Sequence, residues 1–121
     1  AVYKLAAVER NGVCTPRIKV SENIEKITNP GKKDVYRIYD DTGYAVADLL
    51  TAGGETVDLS KEYPYIDPQK PWKKRSFINC RAKKLHRDVI RNGKRVASVR
   101  SLESIRAYVK EQLRKRDHSL P

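Results

Sequence analysis

Apolar and polar positions along this chain alternate over short stretches and then settle into one helical period. The run from 2 to 8 is mostly apolar, which suits a strand covered on both faces. After the turn-like Arg10-Asn11-Gly12, the segment Arg17-Ile18-Lys19-Val20 alternates. A strand near 16–20 would put Arg17 and Lys19 on one face and Ile18 and Val20 on the other. Strands near 34–39 and 44–50 flank Asp40-Asp41-Thr42-Gly43, whose Asp and Gly residues favour a tight reversal, so a β-hairpin is predicted there. From 53 to 75, Gly53-Gly54 and Pro64, Pro68 and Pro71 break any period and predict an irregular connector. Strands near 85–91 and 94–98 enclose Asn92-Gly93, the strongest short-range signal for a two-residue hairpin. The last element is a helix near 102–116. Ser101 can cap it, Glu103 suits its positive N-terminal end, and Leu102, Ile105, Val109 and Leu113 recur at helical spacing. So narrow a stripe predicts a helix that docks by one side and leaves its basic side in water.

These elements predict an α+β fold, with a small, mostly antiparallel sheet and a C-terminal helix. A length of 121 residues fits a single domain, 1–121, made of a strand-rich part (1–52), a connector (53–75) and a hairpin plus helix (76–121). With 39% hydrophobic and 34% charged residues, the core is expected to be small and partly borrowed. Lys plus Arg number 26 against 15 acids, and a net charge of +11 attracts polyanions: nucleic acid, anionic lipid or phosphorylated metabolites. No stretch approaches the roughly 18 apolar residues of a membrane span, and the start AVYKLAAVER lacks a secretory apolar run, so a soluble, cytoplasmic protein is expected. Cys14 and Cys80 have no Cys or His companion at metal or disulfide spacing and read as reduced thiols, with no metal site. The lack of any Met, position 1 included, points to a chain cut from something longer.

The densest chemistry lies between Pro16 and Arg37. Asn29-Pro30-Gly31-Lys32 has the make-up of a type II turn, because Pro presets the first central φ and Gly accepts the positive φ of the second. Such a turn would hold Lys32 and Lys33 in place, with Arg17, Lys19 and Lys26 on neighbouring segments, and five cations so grouped can bind a pyrophosphate. Five in so short a window is close to what chance gives in a chain with 26 basic residues, so composition alone does not decide between a site and a solvated face. Glu22 and Glu25 read as salt-bridging partners of these lysines. His86 and His118 have no carboxylate or Ser at catalytic spacing. Trp72, within Pro71-Trp72-Lys73-Lys74-Arg75, resembles the stacking aromatic of a nucleic-acid binder, but a side chain packed on the sheet is the simpler expectation.

The chain resembles the post-barrel region of nicotinate phosphoribosyltransferases. The resemblance is carried by Val2-Tyr3-Lys4-Leu5, the stretch Pro16 to Glu22, Glu25-Lys26, Thr28, Pro30-Gly31-Lys32 and Val35-Tyr36-Arg37, in the family's order and spacing. It continues through AVADLLT at 45–51 and NGKRVASVRSLESIRAYVKEQL at the closing hairpin and helix, while 53–74 is unmatched. The resemblance implies part of the non-barrel domain of a type II phosphoribosyltransferase. That enzyme joins nicotinate to phosphoribosyl pyrophosphate in NAD biosynthesis, with ATP hydrolysis coupled through a phosphohistidine. Magnesium and ATP are implied for the whole enzyme and no cofactor for this chain alone. The implied partners are the catalytic barrel, carried on the same or a separate chain, and a second subunit in a homodimer. By the same resemblance, Lys19 and Lys26 correspond to lysines that contact the donor's phosphates, with Lys32 next and Arg17 and Lys33 beside them. The chain alone would then be inactive, and neither nucleic acid nor membrane would be a partner. Two rival readings stand: a small nucleic-acid module built on the basic stretch from Lys70 to Lys84, and a domain that merely completes a dimer.

Overall fold

Two-residue turns at Asn11-Gly12 and Asn92-Gly93 set the register of two hairpins of this chain. A computed structural model describes residues 4–62 and 64–116. The chain divides into two units, Ala1–Asp34 with Leu50–Glu55, and Val35–Leu49 with Thr56–Pro121.

In the first unit, β1 (Ala7–Arg10) pairs antiparallel with β2 (Val13–Pro16), Ala7 opposite Pro16 and Arg10 opposite Val13. Asn11 and Gly12 join them with φ of 51° and 76°, the left-handed pair that a type I′ turn requires. This differs from the strands expected near 2–8 and 16–20. Residues 2 and 3 lie outside the described residues. The two-residue turn forces Val13 opposite Arg10, so pairing starts three residues early; Pro16 faces Ala7 where no inter-strand bond is due, and the ladder ends one residue later with Arg17 N donating to Ala6 O. Beyond the Arg17 amide, residues 17–20 alternate in sequence but have no partner strand among the described residues, and both faces are exposed. A single 3-10 turn follows at Ile24–Lys26.

β3 (Lys33–Tyr39) and β4 (Ala45–Ala52) form the expected hairpin, and each contributes residues to both units. Its reversal is held by Asp40, whose Oδ1 accepts from the Thr42 amide (3.0 Å), the Thr42 hydroxyl (2.7 Å) and the Tyr44 amide (2.9 Å), while Gly43 takes φ of 90°. These donors, the Thr42 hydroxyl foremost, hold the Asp40 carboxyl below its usual pKa.

In the second unit, β7 (Arg81–Lys84) adds antiparallel to β3, giving a three-stranded sheet in the order β4-β3-β7. This pairing strand was not among those expected, because Arg81-Ala82-Lys83-Lys84 turns only Ala82 toward the core and carries no apolar alternation. The core is Ile38, Val46 and Phe77, with Tyr36, Leu49, Leu59, Tyr65 and Ala82 packed around it. The segment between 53 and 75 is irregular apart from two two-residue strands, β5 (Tyr65–Ile66) and β6 (Lys74–Arg75), which bring Tyr65 to within 5.6 Å of the Phe77 ring. The Asn92-Gly93 hairpin forms, with φ of 50° and 74°, but joins only β8 (Ile90–Arg91) and β9 (Lys94–Arg95) rather than strands spanning 85–91 and 94–98. A hairpin with no third strand buries no face, so it does not lengthen.

The α+β class is thus as expected: small antiparallel sheets and one helix, α1 (Leu102–Arg114). Ser101 caps it, its Oγ accepting from the Ser104 amide at 3.1 Å. The C-terminal end is fastened to the sheet, Ala45 N donating to Lys115 O at 2.6 Å. Yet no residue of α1 is buried, and its apolar side stays about half exposed. Trp72 likewise is 75% exposed instead of packed on the sheet.

With so few buried apolar residues, the second unit should be sensitive at each of them. Ile38→Ala should lower stability by about 2–5 kcal/mol, a large share of what a domain of this size possesses. Equilibrium urea unfolding measures this, and a midpoint unchanged by the substitution contradicts the assigned core.

Candidate functional site

All five cations singled out in the sequence fall in the first unit, and what gathers their segments is the short stretch Lys4 to Ala6. The carbonyl oxygen of Ala6 accepts two backbone N–H groups, from Arg17 at 2.8 Å and from Gly31 at 2.7 Å. One acceptor therefore joins the end of β2 to the Asn29-Pro30-Gly31-Lys32 turn. Lys4 adds a third fastening, its Nζ donating to the carbonyl of Lys26 at 2.8 Å. Arg17, Lys26 and Lys32 are thereby each tied, directly or through a neighbour, to three consecutive residues.

The turn behaves as its composition requires. Gly31 takes φ of 93°, which L side chains rarely adopt. Lys33, half-buried, folds its ammonium back onto the carbonyls of Asn29 and of Gly31 (2.7 Å to the latter), so this cation braces the turn that it follows. Arg17 donates to the neighbouring Pro16 carbonyl at 3.2 Å. Lys19, Lys26 and Lys32 are exposed, and their ammonium groups have no partner among the described residues.

Two positions that sequence reasoning left out help to place Lys32. Gly53 N donates to the Lys32 carbonyl at 2.9 Å, and a Cβ at Gly53 would stand 3.0 Å from Lys32 Cγ and 3.2 Å from its carbonyl oxygen. Asp34, buried, accepts from the Gly54 amide at 3.0 Å. The Gly53-Gly54 pair just after a strand was the available clue, because glycine there marks a close backbone approach.

Elsewhere the chemistry is sparse. Arg37 and Asp48 form a two-bond ion pair (2.8 and 3.0 Å), which raises the pKa of the guanidinium. Cys80 is a free thiol whose pKa is pushed up by burial, the opposite of what a nucleophile needs. His86 is exposed after β7, and His118 lies outside the described residues. Among the described residues no three His, Cys, Asp or Glu side chains could share a metal ion. No helix among those residues is long and apolar enough to cross a membrane.

The family described as "Nicotinate phosphoribosyltransferase C-terminal domain" matches residues 32–120. The chain belongs to this family. The match includes Lys32 and Lys33, the sheet and α1. Curated nicotinate phosphoribosyltransferases extend the likeness across the rest of the lysine-rich loop. The Bacillus subtilis protein is 32% identical over 93% of this chain, the Caenorhabditis elegans protein 32% over 97%, and the Dictyostelium discoideum protein 35% over 94%. The chain spans 23%, 21% and 20% of the lengths of those three relatives.

If the positive φ of Gly31 fastens the turn to Ala6, an added Cβ there should loosen it without any clash, since nothing lies within 4 Å. Gly31→Ala should cost about 1 kcal/mol and speed hydrogen exchange of the amide at that position about fivefold. Exchange that stays at the wild-type rate contradicts this account of the turn.

Proposed function

We propose that this chain works as the C-terminal domain of an active nicotinate phosphoribosyltransferase, and that Lys19, Lys26 and Lys32 hold the phosphates of phosphoribosyl pyrophosphate there. The supporting observation is the arrangement around Ala6: the exposed ammonium groups of Lys26 and Lys32 on backbone fixed by hydrogen bonds, with exposed Lys19 two residues beyond the Arg17 amide that Ala6 holds, in a chain whose relatives carry that enzyme's name. Fixed backbone with mobile charged tips suits a flexible polyanion, because each ammonium can reach a phosphate oxygen while the loop is not reordered at each turnover. Arg17 contributes long-range positive potential, and Lys33 does the same while bracing the turn.

The chemistry explains why cations belong at this place. When nicotinate displaces pyrophosphate from the ribosyl carbon, negative charge grows on the departing phosphates. Positioned ammonium groups stabilise that growing charge more than they stabilise the bound donor. The residues that bind the nicotinate ring and accept the ATP phosphoryl group belong, in this reading, to the catalytic barrel. The enzyme would act in the cytoplasm as a homodimer.

Lys19→Ala and Lys26→Ala in the whole enzyme should each raise the KM for phosphoribosyl pyrophosphate about 10-fold or more, the value of one charge-assisted hydrogen bond, and leave the KM for nicotinate nearly unchanged. Steady-state kinetics with each substrate varied in turn checks this. Wild-type donor kinetics in both variants contradicts it.

One observation favours the nucleic-acid alternative, the exposed Trp72 beside exposed Lys73 and Lys74. Affinity for single-stranded oligonucleotides that falls steeply with added salt and disappears in Trp72→Ala would support that reading. The enzyme reading predicts no such dependence on Trp72.

A further inference from the structure

Helix α1 presents an apolar stripe that nothing among the described residues covers. Leu102, Ile105, Val109 and Leu113 recur at helical spacing and remain 59%, 43%, 48% and 61% exposed. The C-terminal turns of α1 stand off the sheet, leaving an open cleft of about 550 Å³ whose lining includes Ala45 and Ala47 of the sheet and Val109 and Leu113 of the helix. Its polar margin on the sheet side is the Arg37–Asp48 pair, already satisfied internally. Side chains spaced for burial and left in water cost solubility without adding stability, so a stripe of this length marks a contact.

We infer that the stripe of α1 and the cleft beside it dock the larger body of the same enzyme, through an apolar ridge edged by acidic side chains. This rests on the reading of the chain as one domain of a nicotinate phosphoribosyltransferase. Two observations select that occupant. The family is defined as a C-terminal domain, and the relatives are four to five times as long as the stretch this chain matches, so in them such a helix has a large body of protein to lie against. The flank of the stripe is cationic: Arg106, Lys110 and Arg114 follow one another at helical spacing along its edge. Arg114 pairs with Glu111, while Arg106 and Lys110 have no acidic partner among the described residues. A partner surface with Asp or Glu beside its apolar ridge complements that row.

Hydroxyl-radical footprinting of the whole enzyme without substrates tests the inference. It compares the native protein with the same protein in denaturant at Leu102, Ile105, Val109 and Leu113. An uncovered stripe, about half exposed, gives roughly twofold protection, whereas a docked one gives about tenfold or more, at any enzyme concentration and after exhaustive dialysis. Roughly twofold protection overturns the inference. Protection that fades on dilution assigns the face to a second copy, protection lost on dialysis assigns it to a small molecule, and either also overturns it. Lys110→Glu should raise the labelling of Leu113 at least about threefold, and unchanged labelling overturns the acidic edge. Because no substrate is present, the footprint can fail while the donor kinetics of the lysine variants stand, and the reverse.

Discussion

Two amides compete for nothing at Ala6: its carbonyl has two lone pairs, and Arg17 and Gly31 each take one. Everything proposed for this chain's site depends on that shared acceptor. Without it, the end of β2 and the Pro30-Gly31 turn would be separate exposed loops, and their cations would be independent charges in water. With it, and with Lys4 holding the Lys26 carbonyl, three segments distant in sequence share one short anchor. The fastening at Ala6 is made of backbone alone, so the ammonium groups of Lys19, Lys26 and Lys32 are not used in building it. Lys33 is committed to the carbonyls of its own turn.

The second unit is organised by a different constraint, scarcity of buried surface. Ile38, Val46 and Phe77 form its centre, and Arg75 covers one ring face while donating to the Val46 carbonyl. Against so small a centre stand many exposed aliphatic side chains, those of α1 among them. A core of this size contributes little stability by itself. The docking inferred for α1 would cover part of that exposed surface.

What the sequence disclosed, and what it hid, follows from where the physical information sits. Turns were legible because Asn-Gly, Pro-Gly and Asp-containing reversals encode φ and local hydrogen bonds within two or three residues; Gly31, Gly43 and Asn92-Gly93 all take the conformations their chemistry demands. The helix was legible through Ser101 and its period. Strand partners were not, because pairing depends on residues far apart. Arg81 to Lys84 lies against β3 with almost no apolar pattern of its own, and Arg17 to Val20 has the pattern without a partner strand among the described residues. For the site, the lysines could be named from their resemblance to a family. The convergence of Arg17 and Gly31 on Ala6 and the approach of Gly53 to Lys32 could not, since neither leaves a mark in side-chain chemistry beyond a pair of glycines.

The most direct measurement is a crystal structure of the whole enzyme with phosphoribosyl pyrophosphate bound. The account predicts the ammonium groups of Lys19 and Lys26 within about 3 Å of phosphate oxygens, with the Arg17 and Gly31 amides still on Ala6. Donor phosphates held wholly by other residues, with this loop turned to solvent, would contradict it.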